Sequence, residues 1–175
     1  MRLLLLNSGP VATLACGDLN SPLTGADMSD TESMVQDGDN GILIDSDIIT
    51  KISQSEELAD EFGTEDNSTL RIIDCEGKAI IPGFVDSHTH LLWDGDRSNE
   101  MQLRHKGLTY SDIAKSGGGI QKTVDFTRSA SIESLTKLGL RRISRAFEFG
   151  TTTMECKSGY GLTVNSELKL LEVNQ

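Results

Sequence analysis

The first part of the chain alternates short apolar runs with polar breaks, a pattern typical of β-structure. Four runs rich in leucine and isoleucine predict strands, at 2–6, 41–46, 47–53 and 69–77. Residues 55–62 predict a helical turn. Residues 17–40, rich in Asp, Ser, Asn and Gly, predict a loop or disordered insertion. Residues 1–77 are therefore expected to form a small β-rich unit.

From residue 78 the pattern changes to strands that alternate with helices. Residues 78–86 predict a buried strand entered through Pro82 and Gly83. The later predictions are helices at 99–107, 110–118, 131–150 and 165–175, and a β-branched strand at 151–156. The clearest helix, 131–150, has Ser131 as a candidate N-cap and Gly150 at its C-terminal end. This alternation predicts a parallel α/β domain over residues 78–175.

Composition and charge narrow the classes of function. The chain has 175 residues and a formal net charge of −11. A strongly acidic protein lacks the clustered Lys and Arg that phosphate contacts need, which argues against nucleic-acid binding. No apolar run approaches the roughly 20 residues of a membrane span. Three widely spaced cysteines form no disulfide framework, so a reduced, cytoplasmic protein is expected.

The segment FVDSHTHLLWDGDR places two of the three histidines one residue apart after an apolar run. Side chains at i and i+2 of a strand point to the same face, so His88 and His90 are expected side by side at a strand end. Two neutral imidazoles are suitable ligands for Zn²⁺ or Fe²⁺, although a catalytic zinc site usually has about three protein ligands. The third histidine, His105, is flanked by Arg104 and Lys106 and is expected on the solvated surface of a helix.

Two other features of the sequence are weaker indications of chemistry. The run GGGIQKT resembles a phosphate-binding loop but has Gln121 where that motif has Gly directly before Lys, so nucleotide binding is rejected. Its glycines are instead expected to form a sharp turn or to approach a ligand closely. Cys156 ends a strand that is predicted to be buried, and a structural role is expected for it rather than a nucleophilic one.

Several motifs together resemble one enzyme family. PGFVDSHTH is similar to the first barrel strand of the amidohydrolase superfamily. WDGDRSNEMQLRHKGLTYSDIAKSGGGI, TTTMECKSGYGL and SELKLL resemble the imidazolonepropionase family of that superfamily. The resemblance covers about residues 78–175, whereas residues 1–77 resemble the family loosely, as the start of its small β-sandwich. The resemblance implies an α/β fold. Its barrel part would be the incomplete N-terminal portion of a TIM-like metal-dependent hydrolase barrel, and part of a small β-sandwich would precede it.

The resemblance also implies roles for individual residues. His88 and His90 match the paired ligands of one Zn²⁺ or Fe³⁺ ion. Arg97 matches a substrate-binding arginine, Tyr160 a substrate-contacting tyrosine, and Tyr110 a tyrosine near the propionate arm of the substrate. An arginine fork with phenolic donors suits a carboxylate. Asp94, which stands close to Arg97 in sequence, is expected to face away from it.

The implied reaction is hydrolysis of 4-imidazolone-5-propanoate to N-formimidoyl-L-glutamate, in histidine degradation. The family's remaining ligands, a His and an Asp, and its catalytic Glu come from later strands. This chain is therefore expected to be an N-terminal fragment, inactive alone, of an enzyme that is a possible homodimer at full length. Two alternatives remain open: another cyclic-amide hydrolase or deaminase of the superfamily, and a non-catalytic remnant or split-protein partner.

Overall fold

The computed structural model describes residues 2–15, 21–64 and 69–175. The chain divides into two compact units, Met1–Pro82 and Gly83–Gln175. The sequence pattern had placed its boundary after residue 77. In the described parts of the chain, none of the helices combines the length and apolar character that a membrane span requires.

The first unit is built on a four-stranded mixed sheet. Its elements are, in chain order, β1 (Arg2–Ser8), β2 (Val11–Ala12), α1 (Thr31–Met34), β3 (Val35–Gln36), β4 (Asn40–Asp45), β5 (Ile48–Gln54), α2 (Ser55–Phe62) and β6 (Leu70–Asp74). The sheet has the order β5-β4-β1-β6, with β1 antiparallel to β4 and parallel to β6. The core beneath it contains four leucines that are at most 5% exposed, Leu4, Leu43, Leu58 and Leu70. The four strands predicted from the sequence are confirmed, and the predicted helical turn is extended to the eight-residue helix α2.

The polar segment predicted as a loop contains more structure than expected. Residues 17–20 of it lie outside the described part of the chain, but a 3-10 helix spans Gly25–Ser29 and is followed by α1 and β3. Asn40 stabilises the end of this segment, because its buried amide donates to the carbonyls of Gln36 and Gly38 over 3.2 and 3.1 Å. Local amide-to-backbone bonds of this kind leave little trace in hydrophobic patterning.

The second unit is a mixed α/β structure. Its elements are β7 (Phe84–Thr89), α3 (Asn99–His105), α4 (Tyr110–Lys115), α5 (Ile120–Ser129), α6 (Ile132–Glu148), β8 (Thr151–Cys156) and α7 (Val164–Val173). β7 and β8 pair in parallel, as the strand–helix alternation predicted. The core of this unit joins the loop after β7 to α6 and α7 through Leu91, Leu92, Leu135 and Leu170.

Two predictions for this unit were wrong. The strand predicted as buried is largely open, with Phe84 54% and Val85 69% exposed, because within the described residues β7 pairs with β8 alone. The helix α5 was missed, because the glycines before it were expected to form a sharp turn or to approach a ligand closely and no helix was predicted after them. Two of its three buried residues are threonines, Thr123 and Thr127, so the core-facing side of α5 does not stand out as an apolar stripe.

Replacing Ser131 with alanine is expected to destabilise the second unit by about 1 kcal/mol. The Ser131 side chain caps α6 by accepting a hydrogen bond from the backbone N–H of Ser134 at 3.1 Å. Urea unfolding followed by circular dichroism measures the change. Ser131→Asp is the matched control, because aspartate also caps and its charge suits the helix N-terminus. A loss of similar size in both variants would contradict the capping role.

Candidate active site

The two closely spaced histidines lie at the carboxyl end of β7. His88 belongs to the strand and His90 follows it directly, and their ring centres are 5.5 Å apart at an interplanar angle of 76°. Asp86 fixes the chain at this point, since its carboxylate accepts hydrogen bonds from the His88 N–H at 3.1 Å and the Thr89 hydroxyl at 2.6 Å. Hydrogen bonds from Thr89 and His88 hold the pKa of Asp86 below its ordinary value. The imidazole pair therefore occupies the position expected from strand alternation.

The ring of His90 is enclosed by the loop after β8. Tyr160 packs edge-on against it, with ring centres 5.3 Å apart. Gly159 makes this approach possible, because a Cβ at that position would lie only 2.7 Å from His90 Cε1. The Nδ1 atom of His90 is buried and has no hydrogen-bond partner among the described residues. A buried nitrogen without a partner is uncommon and indicates a site for a ligand or ion.

The two imidazoles supply some, but not all, of the ligands that a metal ion would need. Two imidazoles at this separation are close enough to share one ion, given metal–nitrogen bonds of about 2.0–2.1 Å. Within the described residues, however, no group of three or more His, Cys, Asp or Glu side chains is arranged to hold a metal. The described residues thus supply an imidazole pair, fewer than the roughly three protein ligands of a catalytic zinc site.

Arg97 lies in the loop between β7 and α3, at a cavity of about 370 Å³. The cavity lining includes Trp93, Asp96, Arg97, Glu100, Thr123 and Tyr160. The Arg97 side chain is 33% exposed, and it forms an ion pair with Glu100, whose side chain is only 7% exposed. Hydrogen bonding to Glu100 raises the pKa of Arg97, and hydrogen bonds from Arg97 and the Gly119 N–H lower the pKa of Glu100. Both groups are therefore charged at neutral pH.

The two tyrosines singled out from the sequence both lie near Arg97. After Glu100, smaller electrostatic contributions from Tyr110 and Tyr160 also raise the pKa of Arg97. Tyr160 lines the cavity, whereas Tyr110 is half-exposed at the start of α4. The Tyr110 hydroxyl faces the glycine loop, residues 117–119, where it would lie 3.4 Å from a Cβ on Gly119. Tyr160 consequently borders both the imidazole pair and the arginine.

Arg142 on α6 supports the loop that carries Trp93 and Arg97, and sequence reasoning missed it. Its Nη1 donates to the carbonyls of Leu91 and Trp93 over 2.7 and 2.9 Å, and its guanidinium lies 3.9 Å above the Trp93 ring. Burial lowers the pKa of Arg142. Because 49 residues separate Arg142 from Trp93, no local spacing indicated this contact.

Glu167 and Arg128 support the Tyr160 loop, and the sequence did not indicate them either. Glu167 Oε1 accepts hydrogen bonds from the N–H groups of Gly161 and Leu162 at 2.8 and 2.7 Å. Arg128 Nε donates to the Gly161 carbonyl at 2.6 Å. Burial acts to raise the pKa of Glu167, but hydrogen bonds from the backbone and Ser158 outweigh it, and the pKa lies below its ordinary value. Together these contacts fix the loop on which Tyr160 stands.

Three expectations about neighbouring residues are met. Asp94 faces α6, where its charge acts on Arg142 and it lines an open surface with Lys137 and Arg141. His105 is exposed on α3. Cys156 packs against the core of the second unit, and burial raises the pKa of its thiol, which suits a structural residue better than a nucleophile.

Solved structures with similar folds include Escherichia coli guanine deaminase and a triazine hydrolase. The guanine deaminase matches with a TM-score of 0.61 and 19% identity, over 99% of this chain and 33% of its own. The triazine hydrolase from Arthobacter aurescens matches with a TM-score of 0.58 and 18% identity, over 98% of this chain and 32% of its own. At these identities the likeness concerns the fold alone. No protein-family model matches the chain.

Several curated proteins are more similar to this chain in sequence than these solved structures are. The imidazolonepropionase of Brevibacillus brevis is 40% identical over 167 residues, which are 95% of this chain and 38% of that protein. The enzyme of that name from Symbiobacterium thermophilum is 43% identical over 97% of this chain and 38% of its own length. That from Myxococcus xanthus is 54% identical over 100 residues. The chain spans well under half the length of these relatives. On this similarity, which extends over nearly all of its residues, the chain belongs to the imidazolonepropionase family.

Proposed function

We propose that the protein containing this chain hydrolyses 4-imidazolone-5-propanoate to N-formimidoyl-L-glutamate, as a cytoplasmic enzyme of histidine degradation. One observation carries the proposal: Tyr160 packs on His90 and lines the cavity of Arg97, so the imidazole pair and a carboxylate-binding group belong to one site. The substrate is a small molecule with a carboxylate arm and a hydrolysable ring, which matches these two parts. Nucleic acid and membrane are not expected as partners, and the full-length enzyme is a possible homodimer.

The architecture that suits this reaction is an amidohydrolase barrel. We assign residues 78–175 to the first strand–helix units of a TIM-like barrel and residues 1–77 to part of a small β-sandwich. The parallel pairing of β7 with β8 across intervening helices supports this assignment, because barrel strands pair in this manner. The histidines at the carboxyl end of β7 stand where barrel enzymes carry their active sites.

His88 and His90 are the residues proposed to hold one Zn²⁺ or Fe³⁺ ion. When bound, such an ion supplies Lewis acidity and lowers the pKa of a water molecule towards neutrality. Since the described residues offer two imidazoles and no third ligand beside them, the chain of 175 residues alone is expected to be inactive.

The remaining residues bind and orient the substrate. Arg97 presents the guanidinium edge that Glu100 does not occupy, and this edge is suited to the propionate carboxylate. Tyr160 stands between that arginine and His90, where its hydroxyl can donate to the bound substrate. Tyr110 is assigned to the propionate end of the same site.

Turnover by the protein at its full natural length tests this function directly. Incubation with 4-imidazolone-5-propanoate is expected to consume the imidazolone and give N-formimidoyl-L-glutamate, identified by mass spectrometry, without release of ammonia. A ring deaminase would instead release ammonia from an aminated substrate such as guanine. Ammonia from guanine, with no turnover of the imidazolone, would replace the proposal by the deaminase alternative. No turnover on any cyclic substrate would favour a non-catalytic partner.

A further inference from the structure

Glu100 is a buried carboxylate for which neither the sequence nor the proposed reaction gives a role. It lies in the first turn of α3, three residues after Arg97. Its Oε1 accepts a hydrogen bond from Arg97 Nε at 3.1 Å and from the Gly119 N–H at 2.7 Å. Its Oε2 accepts from Nε and Nη2 of Arg97, both at 3.1 Å. One carboxylate therefore joins the arginine to the glycine loop.

The glycine loop is packed closely around this carboxylate. A Cβ on Gly118 would lie 3.0 Å from Glu100 Oε1 and 2.7 Å from Ile113 Cγ2, so the loop approaches Glu100 with no room for a side chain. Gly119, at a φ of 75°, turns the chain into α5 directly after its contact with Glu100. The start of α5 and the orientation of Arg97 thus depend on the same carboxylate, Oε1 bonding to both and Oε2 to Arg97 alone.

The contacts also determine which part of the guanidinium is available. Glu100 occupies Nε and one side of Nη2, and among the described residues no hydrogen bond is made by Nη1. Guanidinium is planar, so fixing one edge fixes the direction of the other. Arg97 and Tyr160 line the same cavity, so we assign the edge that Glu100 leaves free to a ligand bound there. An arginine held in this way loses little rotamer freedom when it binds a carboxylate, which favours affinity.

We propose that Glu100 is the positioning residue of the substrate arginine: it orients Arg97 towards the substrate carboxylate and ties that arginine to the glycine loop. The inference rests on the proposed function, because it assigns the carboxylate that Arg97 receives to the substrate. Glu100 lines the cavity, but both of its oxygens are bonded to Arg97 or Gly119, so its proposed effect on the substrate is exerted through Arg97. Its effect is confined to ligands that carry a carboxylate arm.

Glu100→Gln in the full-length protein tests the inference. Glutamine keeps the shape but has one acceptor oxygen, and its NH₂ faces a donor of Arg97 or Gly119. KM for 4-imidazolone-5-propanoate is expected to rise about tenfold, with a smaller change in kcat. With a 4-imidazolone whose side chain lacks the carboxylate, kcat/KM is expected to remain unchanged. Glu133→Gln, at an exposed ion pair with Lys137, is the matched control and should leave both values unchanged.

A double-mutant cycle with Arg97→Gln separates positioning from a purely structural role. If Glu100 acts through Arg97, adding Glu100→Gln to Arg97→Gln raises KM no further. Equal effects of Glu100→Gln with and without Arg97, or an equal loss on the carboxylate-free substrate, would overturn the inference. Should Glu100→Gln fail to fold by circular dichroism, Glu100→Asp takes its place, because it retains the charge while shortening the reach.

Binding of imidazole-4-propanoate, measured by calorimetry, distinguishes failure of this inference from failure of the proposed function. If the wild-type protein binds this carboxylate but does not hydrolyse the imidazolone, the reaction is wrong and Glu100 is still tested by affinity. Glu100→Gln is expected to bind the probe about tenfold more weakly than the wild-type protein. If the same substitution has no further effect in a protein that already carries Arg97→Gln, Glu100 acts by positioning Arg97. If Glu100→Gln binds the probe as tightly as the wild-type protein does, the positioning role of Glu100 is overturned. A wild-type protein that does not bind the probe overturns both the carboxylate site and the role of Glu100.

Discussion

Replacing His90 with alanine is expected to remove most of the bound metal from the full-length protein and to lower kcat by at least roughly a thousandfold. The His90 ring lies beside His88 and beneath Tyr160, and its Nδ1 is buried without a partner among the described residues. Loss of one of the two imidazoles would weaken binding of the ion, and without the ion the pKa of water would stay far above neutrality, which makes water a poor nucleophile. Metal content by atomic emission and initial rates with the imidazolone measure the two effects.

His105→Ala is the matched control for this prediction. His105 is exposed on α3, so the same chemical change there should leave metal content and turnover at wild-type values. His88→Ala is expected to behave like His90→Ala, since both rings share one site. Full metal stoichiometry in His90→Ala would show that the imidazole pair is not the metal site, even if turnover fell for another reason.

The sequence predicted those features of the site that depend on neighbouring residues. Strand alternation placed His88 and His90 together, and the apolar spacing of α6 and the β-branched run of β8 were sufficient to predict both elements. These signals are local, because side-chain direction repeats every two residues in a strand and every 3.6 in a helix. The resemblance of the KSGYGL motif to a known family added Tyr160, which local patterning could not have assigned.

The features that sequence reasoning missed depend on contacts between distant residues. Arg142 reaches the carbonyl of Leu91 across 51 residues, and Glu100 reaches Gly119 across 19. A charged residue on a helix has no pattern that distinguishes a solvated position from one that binds a loop backbone. Burial of β7 was overestimated for a related reason: an apolar strand indicates that it will be covered, but not which residues cover it.

The supporting residues suggest how the fold keeps the site in place. Arg142 binds the loop after β7, and Glu167 with Arg128 binds the loop after β8. In each case a charged side chain from a helix bonds to backbone atoms of the loop, so the loop conformation depends less on the loop's own sequence. Rigid support of this kind is needed where small displacements of a binding group are costly.

Arg97→Lys is expected to lower kcat/KM for the imidazolone by about 30- to 150-fold, equivalent to about 2–3 kcal/mol of lost transition-state binding. Lysine keeps the charge but is a single point donor without a second edge. Its ammonium can pair with the buried Glu100 or with the substrate carboxylate, but it cannot hold both in the fixed planar arrangement of Arg97. Steady-state kinetics with the imidazolone, and with its carboxylate-free analogue, measure the loss and its dependence on the carboxylate.

Arg145→Lys provides the same chemical change at an exposed ion pair with Glu148 on α6 and should leave kcat/KM unchanged. The carboxylate-free analogue gives the sharper comparison. Arg97→Lys should turn it over nearly as well as the wild-type protein does, because the lost contact is to a group that the analogue lacks. An equal loss on both substrates would mean that Arg97 maintains the cavity rather than binding the carboxylate. An unchanged rate on the imidazolone would mean that charge alone suffices at this position and that the planar fork has no role in recognition.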